Sequence, residues 1–453
     1  MRTFRALANN LLRRPFSSSQ ANQILKGTPN IDSVPYMTKT DVLEPILNSV
    51  KLKEFLLKKI EKDGPMSFSK FMEESLTNKN FGYYSKQDPF NTDGDFVTSP
   101  EISQMFGECV GIWVVNFLMT TGTLDASMKN SGFDILEFGP GRGTLMKDVL
   151  RTLGQFKVQG DMRIHFIEKS EHLRKIQMEE LQSQFNQQGI YFEYYTTKEP
   201  TVATPKAGEG PDNKKNVRAE VFSNEDHKIS LSWYGDYESF LSENYKDLVG
   251  GNLGVNRTGK EPTVARPTII LCNEIFDALP ISIFEYTKRG WCEKLVGKSP
   301  LINAEHQAKQ YFQWEYSEPD AESITKILNP KKTFKSETVK KNLSIGDTIE
   351  ISPQSLVMMN SFGELISKTG GALLAIDYGE ANAFSNSLRG IYKHKFVLEE
   401  SLLEMPGECD LSAYVNFMAL AEVASQARDV TTGNLLTQGQ FLESMGINQR
   451  LEV

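Results

Sequence analysis

Hydrophobic and polar positions change their period several times along the 453 residues, and each change predicts an element. Residues 41–80 place apolar side chains at helical spacing, first in D-V-L-E-P-I-L-N-S-V-K-L-K-E-F-L-L-K-K-I and then, past a Gly64-Pro65 break, in a shorter amphipathic piece. This predicts an N-terminal helical region over 41–130. Within it, S-P-E-I-S-Q-M-F-G-E puts Ser99 at an N-cap, Pro100 at the first helical position and Glu101 in the first turn, so a helix is predicted from there through Trp113. Near-continuous apolar runs follow at 133–138, 162–168, 267–274 and 370–378. Runs of that kind suit strands of a parallel sheet buried on both faces, and the predicted class is α/β. The core is expected over 131–280. Two polar stretches rich in Gly, Pro, Asn and Lys, 196–228 and 249–266, read as surface insertions. Residues 281–350 alternate aromatic and polar side chains and predict an inserted β-rich subdomain able to present a surface to a substrate, before 351–453 returns to the core and to C-terminal helices.

The run over 133–145, F-D-I-L-E-F-G-P-G-R-G-T-L, ends on an acid and breaks into three glycines at alternate positions. It predicts a strand turning tightly into a helix. Lacking Cβ atoms, Gly139, Gly141 and Gly143 let the backbone take φ > 0 and let a ligand lie against the main chain, while the helix from Thr144 points free N–H groups at it. A dinucleotide fingerprint needs its third glycine where Thr144 stands, and a P-loop needs Gly-Lys-Ser/Thr; both fail. With Glu137 two residues before G-x-G-x-G, the turn resembles the first motif of S-adenosylmethionine-dependent methyltransferases, a Rossmann-like fold. The cofactor expected there is S-adenosyl-L-methionine. Residues 162–168, M-R-I-H-F-I-E, form a second apolar strand ending on Glu168, about where a doubly wound sheet places the carboxylate that holds ribose hydroxyls.

Catalysis in an open α/β sheet is expected at the carboxyl ends of the strands, which directs attention to C-N-E-I-F-D-A-L-P. Asn273 and Phe276 have the N-x-x-F spacing of many amino-group methyltransferases, where an amide oxygen orients the attacking nitrogen and an aromatic face accommodates the methyl sulfonium. Glu274-Ile275 replaces the usual Pro-Pro. Glu274 and Asp277 together could grip a guanidinium and remove its proton as the new bond forms; the competing reading has Asp277 capping the next helix and Glu274 solvated. His394 is either a base or an ordinary hydrogen-bonding side chain, and Trp233 either edges the adenine pocket or belongs to the core.

Composition narrows the classes further. At 39% hydrophobic and 24% charged residues the chain can bury a large core, and a net charge of −8 leaves no basic field to hold nucleic acid. No run approaches the roughly 18 apolar residues of a membrane-spanning helix, so an integral membrane protein is not expected. Cys109, Cys272, Cys292 and Cys409 are widely spaced, and the histidines and acids lack ligand spacing, so no disulfide framework and no metal are predicted. Residues 1–16, M-R-T-F-R-A-L-A-N-N-L-L-R-R-P-F, carry four arginines, while no acid appears before Asp32; Phe4, Leu7, Ala8 and Leu11 share one helical face. That is the make-up of a mitochondrial transit peptide.

G-P-M-S-F-S-K-F-M, G-Y-Y-S, G-D-F-V-T-S-P-E-I-S-Q-M-F-G-E, L-E-F-G-P-G-R-G-T-L, N-E-I-F-D-A-L-P and D-L-S-A-Y-V-N-F occur in the order seen in the MidA-like family, and the chain resembles that family over roughly 55–445. Its mitochondrial members are complex I assembly factors that look like protein arginine methyltransferases. The resemblance implies S-adenosylmethionine, a matrix location, and symmetric dimethylation of an arginine on the large hydrophilic-arm (49 kDa-type) subunit of complex I during early assembly. Asp410 and Arg389 match family positions, whereas Asn416 stands where many relatives carry an acid. The rival reading is an assembly chaperone that keeps the cofactor fold without catalysis.

Overall fold

The computed structural model describes residues 36–37, 48–86, 98–128, 131–187, 191–196, 217–224, 227–246, 266–303, 310–329, 343–381 and 385–451. The transit-peptide reading of 1–16 falls outside the described residues, as do 197–216, 225–226 and 249–265 of the two polar stretches.

The chain enters through helices α1 (Val50–Asp63) and α2 (Phe68–Thr77), then α3 (Gln104–Thr120). Strand β1 (Phe133–Phe138), helix α4 (Thr144–Gln155), strand β2 (Gly160–Ile167) and helix α5 (Glu171–Gln187) open the α/β alternation. Strands β3 (Tyr191–Thr196), β4 (Val217–Asn224) and β5 (His227–Tyr234) follow, then helix α6 (Tyr237–Asn244) and strand β6 (Thr268–Asn273). Strands β7 (Ser282–Thr287), β8 (Gly290–Lys298), β9 (Phe312–Tyr316) and β10 (Thr348–Ile351) lead to helix α7 (Pro353–Thr369), strand β11 (Ala372–Ile376) and helix α8 (Phe417–Ala424).

Seven strands form one sheet in the order β11-β6-β1-β2-β5-β4-β3, parallel from β11 to β5 and antiparallel beyond. Because successive side chains leave a strand on opposite faces, β1 feeds two cores. Ile135 packs with Phe106, Val110 and Val114 of α3 and Val149 and Leu153 of α4, whereas Leu136 and Phe138 pack with Phe362 and Leu365 of α7 and Leu420 of α8. Burial on both faces is why these strands are nearly all apolar.

Two expectations need correction. The helix predicted from Ser99 through Trp113 is two pieces: Thr98 precedes a single turn, Ser99–Ile102, and the chain then extends at Ser103 (φ −154°, ψ 128°) before α3 begins. The Ser103 hydroxyl accepts the Met105 N–H at 3.2 Å, so this serine ends one helix and caps the next, which short polar side chains do readily. The stretch 196–228, read as an insertion, contributes β4 and the start of β5 to the sheet. V-R-A-E-V-F alternates apolar with charged residues, a pattern that suits an antiparallel strand but lowers the mean hydropathy of the segment.

Strands β7, β8, β9 and β10 form a second sheet with the short strand Met66–Ser67, all antiparallel. Its core joins Leu56 and Ile60 of α1 and Phe68, Phe71 and Met72 of α2 to Ile283, Val296 and Phe312, so the N-terminal helices pack on this sheet. A buried Lys53–Glu404 pair at 3.5 Å sits at the same junction, with Glu404 accepting the Tyr311 and Phe312 N–H groups at 2.7 and 3.0 Å. Those donors both address Oε1, and the Lys53 charge faces Oε2, which together offset part of the cost of burying the carboxylate.

Candidate active site

Four neighbouring parallel strands finish on polar groups along one edge of the main sheet. Glu137 lies near the end of β1, Glu168 just past β2, Asn273 at the end of β6 and Asp377 just past β11. A pocket at this edge is lined by Glu137, Gly139, Gly141 and Arg142 from the glycine turn, by Thr98, Pro100 and Glu101, and by Asn273 and Glu274.

The glycine turn has the backbone its composition predicts. Gly139, Gly141 and Gly143 have φ of 55°, 55° and 87°, and Gly143 serves as the N-cap of α4. A Cβ on Gly139 would stand 2.4 Å from Ile275 Cδ1, so the turn also packs on the loop after β6. Above it, Thr144 Oγ1 donates to Glu101 at 2.5 Å, tying the Ser99–Ile102 turn to the first residue of α4. Helices α3 and α4 are close enough to hold this register: Cβ atoms on Gly107 and Gly111 would stand 2.4 and 2.6 Å from the Cβ atoms of Asp148 and Thr152.

Glu137 is 3% exposed, and its Oε2 has no hydrogen-bond partner among the described residues. Burial pushes its carboxyl up to about 8 from the ordinary value of 4.5. The folded protein thus holds a proton that the unfolded chain sheds near pH 4.5, so the contribution of Glu137 to stability is greatest in acid and falls as the pH rises from about 4.5 to 8. Glu137→Gln, uncharged and of the same shape, is expected to remove that decline and to melt above the parent at pH 8. Thermal scans from about pH 5 to 9 check this; superimposable profiles for the two proteins would contradict it.

Glu168 is buried, and burial raises its pKa while the Ser170 N–H, donating to Oε1 at 2.7 Å, opposes the rise. Its own N–H donates to the Tyr234 carbonyl at 2.9 Å, and its carbonyl accepts Arg174 Nε–H at 2.7 Å. The side chain is therefore positioned from β5 and α5 together.

Past β6 the chain turns sharply. Glu274 adopts φ 52°, uncommon for a residue with a Cβ and a conformation that surrounding structure must enforce. Its N–H donates to the Ile376 carbonyl at 2.8 Å, and the next three N–H groups, of Ile275, Phe276 and Asp277, converge on Asp377 Oδ2 at 3.0, 2.7 and 3.4 Å. Asp377 thus anchors a nest of amides. The turn aims the Glu274 carboxylate at Ser99, whose N–H and Oγ lie 3.3 and 3.4 Å away, and burial raises its pKa. Asn273 Oδ1 has no hydrogen-bond partner among the described residues. Asp277 does not line the pocket. It is buried, and desolvation together with Asp377 and Asp410 raises its pKa well above the usual carboxylate range, against the opposing charge of Arg389. Arg389 donates from Nε to Ser412 Oγ at 3.0 Å and lies over Tyr414 and Tyr378 at 4.8 and 5.5 Å, while Tyr84 donates to Asp410 at 2.7 Å.

Phe276 departs from its expected place at the methyl site, because it is 3% exposed within the core that holds Leu136, Phe138 and Phe362. Trp233 is a core residue, fully buried and stacked on Phe166. His394 lies exposed in the turn between the strands Arg389–Tyr392 and Lys395–Val397, and Asn416 caps α8, accepting the Ala419 N–H at 3.0 Å. The four cysteines are buried and form no disulfide. Asp377 and Ser99 are absent from the site residues expected from the sequence. Asp377 carried a usable signal, since A-I-D-Y ends an apolar strand on an acid just as the β1 and β2 segments do.

A carboxylate set beside glycines suits a ligand with hydroxyls and positive charge, and the orphaned Glu137 oxygen offers it a partner. The comparisons agree with that chemistry. A family model described as "Putative S-adenosyl-L-methionine-dependent methyltransferase" matches residues 109–435. The chain is 32% identical over 401 residues to the mitochondrial protein arginine methyltransferase NDUFAF7 of Rattus norvegicus, covering 88% of this chain and 74% of that protein. It is 31% identical over 414 residues to the Homo sapiens protein of the same name, covering 90% and 77%. A crystal structure of a superfamily member from Burkholderia thailandensis bound to S-adenosyl-homocysteine superposes with a TM-score of 0.58 at 20% identity, covering 93% of this chain and 86% of that one, a likeness of fold. The chain belongs to the S-adenosyl-L-methionine-dependent methyltransferase family that includes the mitochondrial protein arginine methyltransferases NDUFAF7.

Proposed function

We propose that this protein methylates an arginine of the large hydrophilic-arm (49 kDa-type) subunit of complex I in the mitochondrial matrix, forming symmetric dimethylarginine during assembly. The observation that carries the reading is the turn after β6, which brings Asn273 and Glu274 to the pocket of the glycine turn, with Asp277 three residues further along the same turn. S-adenosylmethionine supplies an electrophilic methyl carbon when bound. Glu137, Gly139, Gly141, Gly143 and Glu168 are the residues assigned to hold it, the glycines admitting it to the backbone and Glu168 accepting ribose hydroxyls; Glu137, Gly139 and Gly141 line the pocket, whereas Gly143 and Glu168 lie outside its lining.

A guanidinium stays protonated in water at neutral pH, so its nitrogen becomes a nucleophile only as a proton leaves. Glu274 and Asp277 are assigned to hold the group by charge-assisted hydrogen bonds. Burial raises the proton affinity of both carboxyl groups, and the guanidinium's charge favours their ionised form once it is bound, so either carboxylate can then receive the departing proton. Asn273 Oδ1, which has no hydrogen-bond partner among the described residues, can accept an N–H of the attacking nitrogen and set its direction. The second sheet, carrying β7 to β10, is the surface assigned to the partner subunit.

Mass spectrometry of the 49 kDa-type subunit from mitochondria with and without this protein tests the acceptor: the reading requires an arginine dimethylated only when the protein is present. The location has its own test. A fusion of residues 1–30 to a fluorescent reporter is expected to enter mitochondria and to be cut near Ser17, and reversing Arg13 and Arg14 to Glu is expected to leave it in the cytosol. Equal import after the reversal would remove the transit-peptide reading.

A further inference from the structure

We propose that Gln177 is the positioning residue that couples the glycine turn to the ribose carboxylate, so that cofactor affinity depends on a side chain on α5 that need not touch the cofactor. The inference rests on the assignment of the glycine turn and Glu168 to the cofactor.

Gln177 is fully buried. Trp233 Nε1 donates to its Oε1 at 3.0 Å, and because an indole nitrogen can only donate, this contact decides which end of the amide is oxygen. The other end, Nε2, carries two hydrogens and has two acceptors in reach. One is the Gly141 carbonyl at 2.7 Å and the other is Glu168 Oε2 at 3.4 Å. The Ser170 N–H already occupies Glu168 Oε1, so donors address both oxygens of that carboxylate and hold its plane. The stem of Gln177 also lies along the turn, with its Cγ and Cα at 3.3 and 3.4 Å from the place a Gly143 Cβ would take.

A glutamine buried only to satisfy Trp233 would need one acceptor atom. Here both remaining hydrogens are directed at groups assigned to one ligand, the backbone of the turn and the acid one strand away. Rotating the amide would face its oxygen to the Gly141 carbonyl and its nitrogen to the indole N–H, breaking all three contacts, so a single orientation is locked.

The test is calorimetric titration of S-adenosyl-homocysteine into the full-length protein, beside melting temperatures. Gln177→Glu keeps the length and an acceptor for Trp233 but replaces the donors with a second carboxylate. Affinity at pH 8 is expected to fall about tenfold or more and to recover in part at pH 6, where a proton shared with Glu168 restores one donor. In a Glu168→Gln background the same substitution should cost less than about threefold, because the coupled partner has changed. Affinity within about threefold of the parent at pH 8, or an equal loss in both backgrounds, would overturn the proposal. Glu168→Gln alone leaving affinity unchanged would instead overturn the assignment of Glu168 to the ribose. Should Gln177→Glu fail to fold, Gln177→Met carries the same titration, with a tenfold loss expected and unchanged affinity fatal to the idea.

Discussion

Glu274→Gln and Asp277→Asn are each expected to lower single-turnover methyl transfer by about 10²-fold or more, on the scale of general-base and positioning effects, while cofactor affinity stays within about threefold of the parent. The split follows from placement. Glu274 reaches the pocket on a turn whose amides are held by Asp377, and its carboxylate faces Ser99. Asp277 lies among Asp377, Asp410 and Arg389, where burial and the like charges of the two other acids raise its pKa against the opposing charge of Arg389. A second guanidinium, from the acceptor, would relieve the like charges that now raise Asp277. Neither side chain is assigned to adenosine or to the methionine moiety, so the loss belongs to the acceptor. Full activity in both variants would remove the pair from the reaction; loss of activity together with loss of cofactor binding would make it part of the cofactor pocket.

Gly141→Val is expected to weaken S-adenosylmethionine binding by more than about 10²-fold in a protein that still folds. Gly141 has φ 55°, where a β-branched residue is a genuine outlier, so the substitution imposes a strain of about 1–3 kcal/mol on the turn itself. Its carbonyl also accepts from Gln177, and it lines the pocket, so a side chain there both shifts the turn and fills space beside the ligand. Calorimetry measures the affinity, and a cooperative melt shows that the fold survives. Unchanged affinity in a folded variant would take the glycine turn out of the site.

The legible features were those written in contiguous residues. β1 and its turn declare themselves because a strand buried on both faces must be apolar throughout, and because three glycines at alternate positions fit the three positive φ angles of the turn. Glu137 and Asn273 were legible for the same reason, since strand ends are local. What could not be read was set by distant partners. Asp377 anchors amides about one hundred residues earlier, and nothing near Ile275 announces it. Phe276 was misjudged because the N-x-x-F spacing does not say which face of the turn meets the core formed by Phe138 and Phe362. β4 escaped because its pairing with β3 and β5 supplies the order that its own mixed composition conceals. The break at Ser103 turned on one hydroxyl choosing a backbone N–H two residues ahead.

On the proposed reading, this pocket brings a methyl donor and an arginine together in a reacting geometry. The most direct measurement is a single turnover with the purified protein, S-adenosylmethionine labelled on its methyl group, and the 49 kDa-type subunit, with the labelled residue located by mass spectrometry. Label is expected on an arginine side chain with the parent protein, and about 10²-fold less with Glu274→Gln at equal cofactor saturation. Tight cofactor binding and a stable complex with the subunit, with no label on any arginine, would contradict it and leave a chaperone that keeps the cofactor fold.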